Sequence, residues 1–389
     1  MKIVIKATHI AEGGGLTHIN KMIEWFGKLA PKVEFLLVGK SGQEEMFIPP
    51  PKNFTYKFHR FPSLNIATRL IWDRFIFHRI LKKTGSDLLF EPGNTGTMNA
   101  SCPKVSLVHN IAPFDEHYCN SESLYQKFRN RALQNETVRS IKSSAGVIML
   151  SEYCDKFFDK YIERSRTKTA VIYHGKPEYN SSETDECALD GLGIRGEFLL
   201  SVSHIWRYKK LKELVQAYFL ALELNPHLPT LIHAGTVYDE KYYRDIIAIV
   251  KESKFADKVL FLGQVDPVRL QALYRNCQMF IFPSVLETCS IILIEALANG
   301  CAMACSNKSV VPEICGDAAE YFDPEDVSDI ARVIIKLSED KDYNTILRGK
   351  ARRRGADFSW EKTASESLRF FEEIVKDNRE KTTEWSNQL

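Results

Sequence analysis

Residues 279–306, MFIFPSVLETCSIILIEALANGCAMACS, constrain the fold more than any other stretch of the chain. The apolar run at 279–282 is stopped by Pro283 and Ser284, and a second small apolar run occupies 301–305. Between them Ser290 precedes an apolar segment that closes at Asn299-Gly300. A hydroxyl residue before and glycine after are the punctuation of a helix, so Ser290-Ile291 marks its start and the unit reads as βαβ. Glu287 then falls in the loop beyond the first strand. Glu295 falls one to two turns into the helix, beside free backbone N–H groups and the positive end of the dipole. An anion can rest on that helix start while the carboxylates accept from neighbouring hydroxyls. A phosphorylated sugar has both features.

The same alternation runs through the rest of the chain. A strand at 2–7 leads to Glu12-Gly13-Gly14-Gly15 and then to an amphipathic segment at 16–26. Three glycines exceed what a βα turn requires and let the backbone approach a phosphate or sugar closely, although a tight turn also uses glycine. Further strands are expected at 33–38, 87–90, 105–108 and 147–150; the second of these runs into Glu91-Pro92-Gly93-Asn94 and the third into His109-Asn110. Ligands of open parallel sheets bind beyond the carboxyl ends of the strands. Gly13, Gly14, Gly15, Glu91, Asn94, His109 and Asn110 therefore share one expected rim. Residues 64–83 form a basic amphipathic helix with Trp72, Phe75 and Ile76 among its apolar positions, suited to packing on a sheet or to lying on a membrane surface.

A strand at 170–173 is followed by the polar, acidic stretch 178–190, which we take as the interdomain linker. Gly191-Leu192-Gly193-Ile194-Arg195-Gly196 is formally GxGxxG, but it precedes the strand 197–203 instead of following one, so it reads as a turn. That strand runs into 204-HIWRYKK-210 and a helix. Arg207, Lys209, Lys210 and Lys212 oppose the dipole at that helix start, which a bound diphosphate explains better than a solvated face does. Strands at 230–234 and 259–262 end in Gly235 and Gly263. Asp340-Lys341-Asp342 has the DxD form but lies in a polar inter-helix stretch, a poor place for a metal-bound nucleotide. Residues 358–389 are an amphipathic helix with a polar tail, and no GxSxG, Walker or HExxH sequence occurs.

A chain of 389 residues has room for two domains, and 44% apolar with 26% charged residues is an ordinary globular composition. No apolar run reaches membrane-spanning length and the first residues lack a signal-peptide pattern. Nine cysteines without a CxxC pair suit reduced thiols, so a cytoplasmic location is expected, with a peripheral position at the plasma membrane as its variant. The net charge of +2 hides an asymmetry: residues 1–178 hold 26 Lys and Arg against 17 Asp and Glu, and the remainder 26 against 33. The basic half suits an anionic lipid surface or substrate, or simple solvation of helix faces. The expected division is 1–178, completed by 361–389, and 179–360.

Two successive βα-alternating halves with rim motifs in both resemble the GT-B glycosyltransferases of family 4, the retaining group 1 transferases. The resemblance covers nearly the whole chain and is strongest over 197–325, where the E-x7-E spacing of Glu287 and Glu295, the preceding FPS, and PEICGDAA all look like the family. It implies a fold of two Rossmann-like parallel-sheet domains facing a cleft, with the C-terminal helix crossing back to the first domain. It implies that Glu295 holds the ribose hydroxyls and Glu287 the donor sugar. Lys209 falls where the family has a diphosphate-binding lysine. His204 falls where it has an arginine, and Arg207, three residues on, is the expected substitute. Ser290 stands where the family often has glycine. Gly13-Gly14-Gly15 matches the glycine loop near the donor phosphates, and His109 matches a histidine near the anomeric centre.

Under that resemblance the catalytic candidates are His109, Arg207, Lys209 and Glu287. The donor-binding candidates are Gly13, Gly14, Gly15, His204, Gly235, Gly263, Ser290, Ile291 and Glu295, and the acceptor-side candidates are Glu91, Asn94 and Asn110. The implied activity is metal-independent hexosyl transfer from a nucleoside-diphosphate sugar, UDP-hexose first and GDP-mannose second, to a saccharide or lipid-linked saccharide in polysaccharide biosynthesis. No cofactor beyond the sugar nucleotide and no nucleic-acid partner is implied. A sugar-nucleotide epimerase of the same architecture and a nucleotide-binding partner without activity are the alternatives. A nicotinamide-dependent oxidoreductase is disfavoured by the misplaced GxGxxG.

Overall fold

The computed structural model describes residues 1–8, 10, 13–60, 72–115, 124–178, 188–194 and 196–387. Residues 64–71 of the expected basic helix, most of the expected linker, Glu12 and Arg195 lie outside them. The chain divides into two compact units, Met1–His174 with Trp360–Leu389, and Gly175–Ser359. The polypeptide thus leaves the first unit once and returns to it with the last helix.

The first unit is built on seven strands: β1 (Lys2–Lys6), β2 (Glu34–Lys40), β3 (Phe54–His59), β4 (Leu88–Glu91), β5 (Lys104–Val108), β6 (Gly146–Met149) and β7 (Lys168–Val171), in the order β3-β2-β1-β4-β5-β6-β7. Every pairing is parallel. The second unit has β8 (Phe198–Val202), β9 (Thr230–Ala234), β10 (Val259–Gly263), β11 (Met279–Phe282), β12 (Met303–Ser306) and β13 (Ala319–Phe322), ordered β10-β9-β8-β11-β12-β13 and again all parallel. Both orders are those of doubly wound Rossmann-like sheets, with the strand direction of travel reversing between β1 and β4 and between β8 and β11. The two parallel-sheet α/β units are those expected.

Burial on both faces explains the strand sequences. FLLSV of β8 and MFIF of β11 are buried throughout, which is why they read as continuous apolar runs and not as alternating ones. The covering helices bury single stripes. In Val327–Glu339 the buried residues are Ile330, Ala331, Val333, Ile334 and Leu337, and Asp326 caps the start through the backbone N–H of Ser328. The DxD candidate is another cap: Asp340 accepts from the Tyr343 N–H at 2.8 Å and opens the helix Lys341–Ala356. In the 191–196 turn all three glycines have positive φ, between 72° and 77°, ahead of β8.

Two features depart from expectation. The strands β3 and β13 were not anticipated from the sequence. The 64–83 helix, where described, begins as a π-helical turn (Asp73–Phe77) before the α-helix His78–Thr84. That turn sends Trp72, Phe77 and Leu81 into the core and leaves Phe75 and Ile76 about half exposed. No described helix is long and apolar enough to cross a membrane.

Candidate functional site

In the second unit the switch point between β8 and β11 collects the expected residues. β8 ends at Val202, and the following loop forms the short 3-10 turn Arg207–Lys209 before Lys210, with φ 53°, turns the chain into the helix Leu211–Leu224. β11 ends at Phe282 and delivers Glu287. The Lys209 ammonium and the Glu287 carboxylate form a direct ion pair, both side chains nearly enclosed. Lys209 also lies over the rings of Tyr208 and Phe282, at 5.2 and 5.6 Å. Burial alone disfavours its charge, but Glu287 and Tyr208 outweigh burial and hold the Lys209 pKa above the ordinary lysine value. The pair is therefore a fixed cation beside a fixed carboxylate.

The rest of the cationic loop is committed elsewhere. Arg207 Nε pairs with Asp239 Oδ2 at 3.0 Å, and its guanidinium lies over Tyr242. Lys210 pairs with Glu213 at 3.0 Å and Glu325 at 2.8 Å. His204 is exposed, its ring edge-on to Tyr238 at 4.7 Å, with Trp206 stacked on the same tyrosine. Acids from distant segments thus supply much of the compensation that the sequence suggested an anion must provide.

Two glycines hold the loops at this rim together. Gly235 donates its N–H to the Gly263 carbonyl at 2.7 Å, and at φ 153° a Cβ there would lie 1.8 Å from the Ser203 carbonyl oxygen. Only glycine lets the β9 loop pass that close to the β8 loop.

The helix after β11 runs Ile291–Ala298 with Ser290 at the N-cap position, but the Ser290 hydroxyl makes no capping bond. The expected side-chain cap is therefore not formed, and the backbone N–H groups at Ile291 and beyond are not claimed by it. Glu295 stands on this helix and accepts from the Tyr274 hydroxyl at 3.0 Å. Its apolar surroundings push the carboxyl up to about 7, the Tyr274 hydrogen bond offsetting part of the rise.

In the first unit Gly13, with φ 71°, precedes the helix Gly14–Leu29, and a Cβ on Gly15 would meet open space. One and a half turns in, His18 is buried and its Nδ1 lies 3.1 Å from His174 Nδ1, so one ring donates to the other. His109, just past β5, has its ring 5.3 Å from His18 and 5.8 Å from His174, and Trp360 closes the group at 5.7 and 5.6 Å from those two histidines. Burial brings the His109 pKa down to about 4; burial and then the neighbouring imidazoles bring His18 and His174 well below the usual histidine value. All three rings are neutral at pH 7. A neutral imidazole can hydrogen-bond a sugar, but it brings no charge of its own.

The acceptor-side candidates are placed differently from one another. Asn110 is exposed. Asn94 receives the backbone N–H groups of His109 (2.8 Å) and Asn110 (2.9 Å), so it shapes the turn that carries His109. Glu91 is wholly enclosed. It pairs with Lys6 at 3.2 Å and Lys104 at 3.7 Å and accepts from the N–H and hydroxyl of Thr97, both at 2.8 Å to one or other oxygen. Placement of Glu91 at the acceptor surface is corrected by this network: a carboxylate with no exposed surface and two lysines on it is a structural anchor for the loop 91–97.

Sequence reasoning missed His18, His174, Trp360, Tyr274 and Asp239. Lys6, Lys104 and Glu91, charges at the ends of largely apolar strands, are a readable signal of buried ionic structure.

Residues 192–354 match the family of glycosyl transferases described as group 1. A serotype-specific mannosyltransferase, WbdA of Escherichia coli, is 28% identical over 291 residues, 72% of this chain and 35% of that protein. The chain thus spans about a third of the length of the first curated relatives. An N-acetylgalactosamine-N,N'-diacetylbacillosaminyl-diphospho-undecaprenol 4-alpha-N-acetylgalactosaminyltransferase of Campylobacter jejuni is 29% identical over 210 residues, 53% of this chain and 54% of that one. Among solved structures, sucrose-phosphate synthase of Thermosynechococcus elongatus superimposes with a TM-score of 0.77 at 16% identity, covering 97% of this chain and all of the other, a likeness of fold. Two doubly wound sheets, a group 1 match over the second unit and these relatives together support a place for the chain in the GT-B glycosyltransferase superfamily.

Proposed function

We propose that the protein is a glycosyltransferase that moves a hexosyl group from a nucleoside-diphosphate sugar to a saccharide or lipid-linked saccharide, with retention of configuration and without a required metal. The observation that carries the reading is the Lys209–Glu287 ion pair at the β8/β11 switch point, with Glu295 on the next helix. In this reading the donor sugar's hydroxyls draw Glu287 toward themselves as acceptors. Lys209 then faces the diphosphate and stabilises the charge that develops as the sugar departs. Glu295 takes the ribose hydroxyls. Ser290 and Ile291 offer backbone N–H groups at the helix start, and Gly235 and Gly263 let the nucleotide approach the loops above β9 and β10. Arg207, held by Asp239, joins the diphosphate only by exchanging that partner, and His204 contacts the donor from the exposed end of the same loop.

In the first unit His109 serves as a neutral hydrogen-bond partner of the reacting sugar, Gly13 with the helix start at Gly14 and Gly15 leaves the backbone open to the donor, and Asn94 and Asn110 shape the acceptor end. The mannosyltransferase names of the relatives support a mannosyl donor, so GDP-mannose is to be compared directly with UDP-hexoses. The diphospho-undecaprenol in the Campylobacter relative's name supports a lipid-linked acceptor, and with it contact between the basic first unit and an anionic membrane face.

The test incubates the protein with UDP-, GDP- and ADP-sugars, with and without saccharide acceptors and with a chelator present. Acceptor-dependent release of nucleoside diphosphate, undiminished by the chelator, is the expected result. Formation of an isomeric sugar nucleotide without acceptor would assign the epimerase alternative instead.

A further inference from the structure

Tyr274 lies in the last turn of the helix Pro267–Asn276 and is fully buried. Its ring meets Phe280 of β11 edge-on at 5.5 Å. Its carbonyl oxygen accepts from the thiols of Cys277 (3.3 Å) and Cys301 (3.1 Å), and Arg348 donates to the carbonyls of the next turn, at Cys277 and Gln278. Ring and backbone are both immobilised, and together they present the hydroxyl to one oxygen of Glu295, Oε2, at 3.0 Å. The other oxygen, Oε1, makes no hydrogen bond among the described residues and is not sealed from solvent.

We infer that Tyr274 is a positioning residue for nucleotide binding, its phenol claiming Glu295 Oε2 and leaving Oε1 as the oxygen that takes a ribose hydroxyl. The inference rests on the reading of Glu295 as the ribose carboxylate. A carboxylate with both oxygens free could rotate and meet a vicinal diol in several ways. One pinned by a rigid phenol offers a single acceptor in a single direction, which loses less freedom on binding.

The same contact governs the charge of the acceptor. An ionised carboxylate accepts a hydroxyl proton more strongly than a protonated one. Burial raises Glu295 to about 7 and the phenol draws it back down. The charged groups on the surrounding elements are otherwise occupied: Glu287 in the preceding loop is held by Lys209, Arg348 by backbone carbonyls, and Arg352 lies over Gly300. Neither these nor Arg275 and Glu313 on the adjoining helices figure among the causes of the shift. Nucleotide affinity is therefore highest above the Glu295 midpoint and falls as pH drops through it. Removing the phenol donor moves that midpoint upward.

The experiment is calorimetric titration of UDP and GDP into wild type, Tyr274→Phe and Glu295→Gln between pH 5.5 and 9. Glu295→Gln subtracts the ionisation of the diphosphate itself, which is common to all three. Tyr274→Phe is expected to lose about twofold at pH 9, where only the pinning of the carboxylate is lost, and about a further two- to fivefold at pH 7 because its midpoint lies higher. A Tyr274→Phe profile that superimposes on wild type, or that is weaker by one factor at every pH, overturns the inference. If the phenylalanine variant does not fold, 3-fluorotyrosine at position 274, a stronger donor of the same shape, is expected to move the midpoint to lower pH; an unmoved midpoint overturns it equally. A Glu295→Gln profile identical to wild type instead removes the ribose reading, with the positioning role falling as its consequence.

Discussion

Lys209 and Glu287, 78 residues apart in sequence, meet in a direct ion pair between the two strands at which the second sheet reverses its order of travel. Each residue is the counterion that makes burial of the other tolerable. A buried pair of this kind contributes little net stability, but breaking it by removing one partner is costly. In the proposed function a sugar hydroxyl replaces the lysine at Glu287, and a diphosphate replaces the glutamate at Lys209.

Lys209→Ala is expected to lower turnover by about 100-fold or more while changing donor affinity far less, because the lysine's charge matters most as the diphosphate departs. Steady-state kinetics separate the two. Lys209→Met combined with Glu287→Gln leaves no unpaired buried charge, and should restore the melting temperature lost in Lys209→Ala without restoring activity. Equal losses in affinity and turnover would reduce Lys209 to a ground-state anchor.

The 279–306 stretch was legible because each signal was local: apolar runs buried on both faces, a proline-serine stop and an Asn-Gly end give β11, the helix Ile291–Ala298 and β12 in their observed order. Strand β13, AEYF, carries a charge and a partly exposed tyrosine at its centre, so it lacks the continuous apolar run that marks β11. Strand β3, FTYKFH at the sheet edge, alternates Phe54, Tyr56 and Phe58 with the exposed Thr55 and Lys57, a period-two pattern that the sequence reading passed over. The site residues missed are those whose meaning depends on a partner far away. His18 and His174 are 156 residues apart, and Tyr274 reads from sequence as a core aromatic until its hydroxyl is seen on Glu295. Arg207 read as an anion ligand because nothing in sequence brings Asp239 to it.

Glu91→Ala is expected to destabilise the first unit by about 3–5 kcal/mol, since it strands Lys6 and Lys104 in the interior. Chemical denaturation measures this. A stable Glu91→Ala protein with an altered KM for acceptor alone would return Glu91 to the acceptor surface.

Ser290→Ala is expected to cost under about 0.5 kcal/mol, less than the ~1 kcal/mol typical of a lost N-cap, because the hydroxyl makes no capping bond. Thermal unfolding checks it. Ser290→Gly, which opens space at the helix start, should leave nucleotide affinity equal or improved.

The histidine group predicts a pH dependence of stability with a definite sign. His109 is held down to about 4 in the folded protein, and His18 and His174 also lie well below the ordinary value near 6.5. Below pH 6.5 the unfolded chain binds protons that the folded one does not, so the stability present above that pH is lost progressively toward the folded values. The melting temperature should fall between pH 7 and 5, and His18→Phe should make that fall shallower. An equally steep fall in the variant would place the acid sensitivity elsewhere.

The most direct measurement of the central claim is titration of UDP and GDP into wild type and Glu295→Ala at pH 8, where the carboxyl at about 7 is mostly ionised. One of the two nucleotides is expected to bind the wild-type protein, and Glu295→Ala to weaken that binding about 10- to 100-fold, the effect of losing a charge-assisted hydrogen bond of roughly 1.5–3 kcal/mol. Binding of neither nucleotide, or unchanged affinity in Glu295→Ala, would contradict the claim.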